Sequence, residues 1–464
     1  MESNHNPAQH AAEEYGEHSE NNTNPLSVDF TLWSLLRFSF PTIVMMIFMG
    51  LYTIVDTVFV SRLVNTYALS AINIVCPVIN LIVGFGTMLA TGGSAVVAYK
   101  MGEGKEREAC ENFTMIVVSG VVAGGLIAGL GIMFLNPIIY GLGASELLFP
   151  YCRAYLLVLM LFTPASILQV LFQSLIVTAG RPGLGMALSV SAGLMNILLD
   201  YIFMVPMKMG IAGSALATGI GYMMPAVIGV CLFSRPGGNL RFRKTGFSVR
   251  ILWKSCSNGY SEMVGQIATA VTTFLFNGIM MRLLGEDGVG AITITIYTQF
   301  LLITLFIGFS MGVAPVISYN YGSGNSKRLK RIFKCCVTVM IGASLLVFIA
   351  AILGGNWLTG IFVETDSAVY SIASHGFKLF SFGFLFCGLN IFTSAMFTAF
   401  SDGRTSAVLA TMRTLVLITA FLLVLPVLMG VDGVWLAVPA AELCACFISI
   451  YALLKKKRQY GYLN

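Results

Sequence analysis

Residues 92–104 read GGSAVVAYKMGEG, and residues 312–324, 220 positions further on, read GVAPVISYNYGSG. Gly92, Val96, Tyr99, Gly102 and Gly104 of the first stretch meet Gly312, Val316, Tyr319, Gly322 and Gly324 of the second. The same offset lays Arg62-Leu63 and Ala71-Ile72-Asn73-Ile74 on Arg282-Leu283 and Ala291-Ile292-Thr293-Ile294. After a small insertion near Ser401 the register returns, with Gly210-Ile211, Gly213 and Leu216-Ala217 on Gly430-Val431, Gly433 and Leu436-Ala437. Self-similarity at a fixed offset marks a tandem duplication. The chain is two copies of one unit.

What each unit is made of follows from composition. The 464 residues are 57% hydrophobic and only 10% charged, against roughly 25% charged in an ordinary soluble domain. With a mean hydropathy of +0.84, the apolar residues cannot all be packed beneath a polar surface, which excludes a conventional soluble enzyme. Twelve apolar runs can each cross about 30 Å of hydrocarbon: 35–60, 66–92, 112–135, 151–178, 184–206, 211–233, 255–282, 289–316, 333–355, 371–400, 406–429 and 433–454. In lipid the backbone must satisfy its own hydrogen bonds, so runs of this length predict helices. The expected fold is an all-α integral membrane protein of twelve transmembrane helices in two parallel six-helix repeats. Its divisions are a disordered acidic leader (1–31), an amino-terminal lobe (32–233), a basic linker (234–254), a carboxy-terminal lobe (255–454) and a basic tail (455–464). An even number of helices per unit relates the units by an axis along the membrane normal, an arrangement typical of transporters.

Charge orients the chain. Of 27 Lys and Arg, 22 fall on one side of these runs, with Arg404 and Arg413 among them, and only Arg62, Arg153, Lys208, Arg282 and Lys378 on the other. The positive-inside rule then places both termini and the longer loops in the cytoplasm. The leader carries Glu2, Glu13, Glu14, Glu17, Glu20 and Asp29 without a single Lys or Arg, the opposite of a signal peptide's basic start. The net charge of +6 reflects loops on one membrane face and not a nucleic-acid partner.

Several chemistries are excluded. His5, His10 and His18 lie in the leader and leave His375 alone in the apolar body, so an H-E-x-x-H metal site cannot be built. Ser310 stands in a G-x-S-x-G run, Gly308-Phe309-Ser310-Met311-Gly312, but inside an apolar span and with no histidine base, and there is no complete phosphate-binding loop, which argues against an enzyme and against direct use of ATP. The ten cysteines form no C-x-x-C pair, and Cys76, Cys152, Cys231, Cys387, Cys444 and Cys446 read as small buried apolar residues. No T-V-G-Y-G filter marks a channel.

Four acids lie well inside apolar runs: Asp56, Asp200, Glu262 and Glu442. Each costs about 3 kcal/mol to insert, so its default reading is a proton, ion or substrate site. Asp56 and Asp200 both stand 19 residues after a cytoplasmic arginine, Arg37 and Arg181, or about 28 Å along a helix, and therefore share a depth. Asn196 lies four residues before Asp200 on the same face, and Thr218 reaches the same depth from the opposite loop. Two carboxylates in one low-dielectric pocket cannot both stay ionised unless a cation lies between them. The second unit places Phe276 opposite Asp56 and Ala420 opposite Asp200, or Leu423 if the local insertion is counted, and offers instead Glu262, about 12 Å into the membrane, and Glu442 nearer its middle. These are candidates for attracting cationic substrates, in a cavity where Phe and Met would suit amphipathic ligands.

The run Asp56-Thr57-Val58-Phe59-Val60-Ser61-Arg62, the Gly180-Arg181 turn, the Asn196-x-x-x-Asp200 pair and the duplicated Gly-[Ile/Val]-x-Gly segments resemble the multidrug and toxic compound extrusion (MATE) transporters, in their MepA-like branch. The resemblance covers residues 33–455. It implies a V-shaped pair of six-helix bundles in the cytoplasmic membrane, working as a monomer. Organic cations and amphiphilic drugs would leave by alternating access in exchange for H⁺ or Na⁺, with no other cofactor. It also implies a cation-coupling site of Asp56, Tyr155, Gln173, Asn196, Asp200 and Thr218, with Asp56, Asn196, Asp200 and Thr218 as ligands if the ion is Na⁺. Some relatives use a carboxy-lobe Na⁺ site with a glutamate and an aspartate. Glu262 matches the first, but the tenth helix offers Asn390 and no acid, which favours coupling through the amino lobe. Glu262, Asn390 and Glu442 remain the expected substrate-cavity residues. A rival reading is a lipid-linked oligosaccharide flippase of the same superfamily, whose cavity would be lined with more basic residues, of which these helices contain almost none.

Overall fold

A computed structural model describes residues 24–64, 66–236 and 238–463, the side chains at 54, 57, 58, 61–63 and 66 excepted. Most of the acidic leader, with His5, His10 and His18, falls in residues 1–23 and lies outside the described residues, as does the side chain of Arg62.

Among the described residues all regular secondary structure is helical. The first half contains α1 (Leu32–Leu63), α2 (Thr66–Gly102), α3 (Glu106–Met133), the short α4 (Leu135–Gly141), α5 (Phe149–Leu161), α6 (Thr163–Thr178), α7 (Pro182–Met204) and α8 (Gly210–Ser234). The second contains α9 (Val249–Gly322), α10 (Ser326–Phe362), α11 (Ala368–Phe380), α12 (Phe384–Ala399), α13 (Gly403–Thr411), a π-helical segment (Met412–Leu417), α14 (Ile418–Met429) and α15 (Val431–Tyr460). Local signals set the starts. Thr31 and Ser34 form a reciprocal capping box on α1, which satisfies backbone N–H groups that a helix leaves open. Proline opens α5, α6 and α7, where its missing N–H costs nothing.

Among the described residues, ten helices are long and apolar enough to cross a membrane, or eleven if α5 and α6, bent by 55°, count as one span. The expected twelve runs differ at two places. The run 151–178 is broken into α5 and α6, and the runs 255–282 and 289–316 lie within the single 74-residue helix α9. That helix would stretch about 110 Å if straight, several times the hydrocarbon thickness. Gly285, at φ 67° and ψ −147°, interrupts it in a conformation that only glycine adopts readily. Outward-facing side chains such as Phe274, Leu353 and Val427 are about four-fifths exposed, a surface suited to lipid and not to water.

The apolar cores show how the halves meet. One cluster, including Val60, Ala71, Leu156 and Ile211, belongs wholly to the first half. Another, with Phe276, Ile292, Phe380 and Trp435, belongs wholly to the second. The two clusters that reach the basic ends of the helices are shared instead. Leu26, Phe30 and Leu35 join Phe309, Phe333 and Phe397, and Leu89, Phe113 and Phe172 have Ile251, Leu252 and Tyr319 packed against them. Contact at those ends is so close that a Cβ on Gly102 would stand 2.0 Å from the Tyr319 carbonyl oxygen, and one on Gly322 would stand 2.2 Å from that of Tyr99. The duplicated pair Gly102 and Gly322 is thus a reciprocal contact point between the halves.

Residues 24–31, expected to belong to a disordered leader, are ordered, because they have something to pack against. Pro25–Ser27 forms a 3₁₀ turn with Leu26 fully buried. Asn320 Nδ2 donates to the Leu26 carbonyl at 3.2 Å; Arg328 donates to the Ser27 carbonyl at 2.7 Å and pairs with Asp29 at 2.6 Å. On its other side Pro25 packs over Gly180, so this strap touches both halves at their basic ends. The tail is ordered too. α15 runs to Tyr460 and is closed by Gly461 at φ 70°, Tyr462 is buried, and Lys456 and Tyr460 both donate to the Asp402 carboxylate.

Candidate cation and substrate sites

In the first half, α1, α7 and α8 bring their polar residues to one place. Asp200 is fully buried, and Asn196 and Thr218 are nearly so. Asn196 Nδ2 donates to Thr218 Oγ1 at 3.3 Å, which ties α7 to α8. The carboxyl groups of Asp56 and Asp200 adjoin each other, with the Ser214 hydroxyl beside Asp56. Tyr52, Tyr155 and Tyr222 stand round the pair, close enough to feel its charge. Asp56 Oδ1, both Asp200 carboxyl oxygens, Asn196 Oδ1 and Ser214 Oγ have no hydrogen-bond partner. Leaving so many buried acceptors unmade costs about 1–3 kcal/mol each unless something else satisfies them. The donor set consists of hard oxygens with two carboxyls, which suits a shared proton or a monovalent cation. Among the described residues no group of three His, Cys, Asp or Glu could hold a metal ion.

Of the six residues in the expected coupling site, five meet here: Asp56, Tyr155, Asn196, Asp200 and Thr218. Gln173 does not. Its amide donates to Ser189 Oγ at 3.0 Å, about two and three turns before Asn196 and Asp200 on the basic side, in keeping with its greater distance along α6. Three participants went unnoticed in the sequence: Tyr52, Ser214 and Tyr222. Each stands four residues from a recognised member, Tyr52 before Asp56 and Ser214 and Tyr222 either side of Thr218, so the helical spacing of four was the available signal.

The second half holds a different arrangement. Asn390, on α12, donates to Glu442 Oε2 at 2.7 Å and to the Glu442 carbonyl at 2.9 Å, and Asn390 Oδ1 accepts from Ser449 Oγ at 2.9 Å. Arg413 Nε donates to Glu442 Oε1 at 2.8 Å and Oε2 at 3.1 Å, and Nη2 reaches Cys387 Sγ at 3.3 Å. Glu442 also lines a narrow cleft with Gln299, Phe384 and Cys387. Glu262, on α9, is the third expected member; Arg413 is the charge that it faces.

Arg413 corrects the sequence reading. It was assigned to a cytoplasmic loop with Arg404, but α13 begins at Gly403, so Arg413 lies about 15 Å along the helix and its side chain is only 17% exposed. The sidedness of the remaining basic residues is unaffected. Arg413 thus puts a largely buried basic group inside the second half, paired with Glu442.

A family model described as MatE matches residues 41–202 and again 263–424, one copy in each half. The chain belongs to the MatE family. Among curated relatives, it is 24% identical over 432 residues to Multidrug export protein MepA of Staphylococcus saprophyticus, a match covering 91% of this chain and 94% of that protein. The namesake from Staphylococcus haemolyticus is also 24% identical, over 90% of this chain and 92% of its own. Among solved structures, a MATE protein in complex with MaL6 superposes with a TM-score of 0.89 at 19% identity, over 95% of this chain and 99% of that one. An outward-facing multidrug resistance MATE family transporter of the MOP superfamily gives 0.87 at 20% identity, covering 94% and 97%. These likenesses establish an all-α, multi-span membrane fold shared with the family, and the MatE chain described here is a multi-pass membrane protein.

Proposed function

We propose that this MatE-family protein is a secondary active antiporter which exports organic cations and amphiphilic drugs across the cytoplasmic membrane, driven by inward movement of H⁺ or Na⁺. The observation that carries the reading is the Asp56–Asp200 pair, with Asp56 Oδ1 and both Asp200 carboxyl oxygens buried without partners inside one half of a duplicated membrane fold. The printed names of the relatives, multidrug export proteins, supply the class of cargo. With α9 divided at Gly285 and α5–α6 taken as one bent span, the helices make twelve crossings, six in each of two lobes. The basic linker at 234–254 joins them, and one chain holds both lobes, so a monomer suffices.

The mechanism follows from electrostatics. Asp56 and Asp200 repel each other when both are charged and drive their helices apart; a proton on one of them, or a Na⁺ held by Asp56, Asn196, Asp200 and Thr218, removes that repulsion. Loading the ion therefore changes how α1, α7 and α8 pack, and the packing of α1 bears on the contact between lobes. Ser39 and Thr42 of α1 lie against Gly312 of α9, and Ile43 against Gly308. The lobes join at their basic, cytoplasmic ends while their outer cores stay separate, the arrangement of a carrier open to the outside. Glu262 supplies the negative charge that would receive a cationic drug.

Ethidium efflux from proteoliposomes under an imposed pH gradient or an imposed Na⁺ gradient tests this reading. Efflux that follows one gradient and disappears in Asp200→Asn names the ion. No gradient-driven movement under either would reject antiport and favour the flippase.

A further inference from the structure

The two polar sites occupy corresponding places in the duplicated fold and are built on opposite principles. The 220-residue offset, secure at Gly210/Gly430 and Gly213/Gly433, sets Glu442 opposite Tyr222, and Arg413 falls opposite Gly193, or Val190 if the local insertion near Ser401 is counted. Tyr222 belongs to the amino-half pocket, and Gly193 precedes Asp200 by two turns on α7. Each half thus has a polar centre made by its fifth and sixth crossings. In the amino half the centre is two carboxyls with unpartnered oxygens. In the carboxy half it is one carboxylate and one guanidinium.

The second centre is satisfied. Both Glu442 oxygens accept hydrogen bonds, from Arg413 Nε at 2.8 and 3.1 Å and from Asn390 Nδ2 at 2.7 Å. Asn390 is held in turn by Ser449. Glu442 is 2% exposed. Arg413 opens the second residue of the π-helical segment; such a bulge rotates a side chain out of the ordinary helical series and is common at functional sites. The groups facing the pair are Cys387 from α12, Cys446 from α15 and, across from α9, Glu262. A planar guanidinium on a carboxylate does what a bound cation would do, and it is tethered to the chain.

We propose that Arg413 is a built-in counter-cation, filling in the carboxy-terminal lobe the place that an exchangeable ion takes in the amino-terminal lobe, so that Glu442 loads neither H⁺ nor Na⁺ during the cycle. Arg413 is on this view a positioning residue that keeps ion coupling confined to Asp56 and Asp200. The inference rests on the antiport reading for its meaning, but its test does not.

The test is infrared difference spectroscopy of the full-length purified protein between about pH 8 and about pH 5, a window that brackets the titration of perturbed carboxyls. The readout is the carbonyl stretch of protonated carboxyl groups, repeated at fixed pH with Na⁺ added. With Glu262→Gln added to every protein compared, which removes the other carboxyl facing Arg413, the protein with Arg413 and Glu442 intact and the one with Arg413→Gln/Glu442→Gln should give the same spectrum, since Arg413 and Asn390 hold both Glu442 oxygens. Arg413→Gln alone should add one carboxyl signal, and restoring the neutral pair in the double variant should remove it. Loss in the double variant of a signal that the intact pair shows would overturn the proposal, as would a folded Arg413→Gln protein with no added signal. Should Arg413→Gln not fold, the comparison of the intact pair with the double variant decides alone. In liposomes the ion-to-drug ratio should match between wild type and the double variant at whatever rate the variant retains. If wild type moves no drug under any gradient, antiport fails, while the spectra still decide whether Glu442 loads an ion.

Discussion

Replacing Gly102 by alanine should prise the two halves apart at their basic ends. The new methyl carbon would start 2.0 Å from the Tyr319 carbonyl oxygen. Carbon and oxygen rest in contact at about 3.3 Å, so α2 and α9 must separate locally by about 1.3 Å. The obstructing atom is backbone, which cannot swing away as the end of a side chain could. Overpacking of this kind costs about 1–3 kcal/mol, and the cost falls only on the arrangement in which those ends are joined. The balance between joined and parted forms should therefore shift by about 5- to 150-fold. Gly322→Ala repeats the perturbation from the other half, at 2.2 Å from the Tyr99 carbonyl oxygen, whereas Gly125 on α3 has nothing within 4 Å of an added Cβ and serves as the control. Spin labels at Glu106 and Lys327, both exposed and each just beyond one of the touching helices, report the separation by pulsed dipolar spectroscopy. Longer distances should gain population in Gly102→Ala and Gly322→Ala and not in Gly125→Ala. Distance distributions identical to wild type in both variants would refute the claim that these glycines set the closed contact.

Asp200→Asn and Asp56→Asn should each abolish ion-driven efflux while the protein remains folded, checked by ethidium transport alongside a thermal melt; normal transport in both would remove the pair from the mechanism. Leu26→Asp places a charge in a fully buried slot and should release the strap, seen as faster proteolysis within residues 24–31, whereas Arg328→Ala, which loses the Ser27 bond and a largely exposed ion pair, should do so more weakly. Asp402 sits between two spans, where burial would raise its pKa, but Lys456, Thr405 and Tyr460 donate to its carboxyl and hold it below the usual value. A carboxylate depressed in the folded state stabilises above its unfolded pKa of about 4 and loses that contribution as pH falls through the folded value. The melting temperature should therefore decline below about pH 4, and Asp402→Asn should flatten that decline. Glu262→Gln should change which cationic drugs are carried, and unchanged kinetics for several of them would exclude it from the cavity.

The duplication, the membrane class and the depth of Asp56, Asn196, Asp200 and Thr218 were legible because each rests on arithmetic along the chain: a fixed offset, the length of an apolar run, and a helical rise counted from a basic loop. What escaped depended on things the count does not contain. Arg413 was taken for a loop residue because positive-inside reasoning assigns an arginine near a span's basic end to the loop, and nothing in its neighbours announces a carboxylate 29 positions later in the chain. The strap at 24–31 was read as part of a polar leader because Leu26 and Phe30 are two apolar residues in an acidic stretch; their burial needs the surfaces of α9 and α10, which are distant in sequence. The break at Gly285 falls in the gap between the expected runs 255–282 and 289–316, so this division was legible; what the sequence did not show is that the helix continues on both sides up to the kink.

The pattern of what stayed alike and what diverged between the two units has a physical cause. Gly102 meets the Tyr319 carbonyl while Gly322 meets that of Tyr99, so each copy of this segment is both the glycine and the obstacle for the other. A side chain added in either unit must be accommodated by the backbone of its counterpart, which holds both copies to the same residue. The polar centres obey no such reciprocity. The amino-half pocket is enclosed by α1, α5, α7 and α8, and the Arg413–Glu442 pair by α12, α15 and the π-helical segment, each within its own half. Tyr222 and Glu442, at corresponding positions, were therefore free to differ. A scaffold symmetric at its contact and asymmetric in its charge can rock about one axis while only one half responds to the ion. Restoring symmetry of charge by converting Tyr222 to Glu, for instance, would place a third carboxyl beside Asp56 and Asp200 without a matching guanidinium. Mutual repulsion should then raise the number of protons that the amino half binds, counted by the same infrared difference spectrum. An unchanged proton count in a folded Tyr222→Glu protein would show that this position does not face the pair.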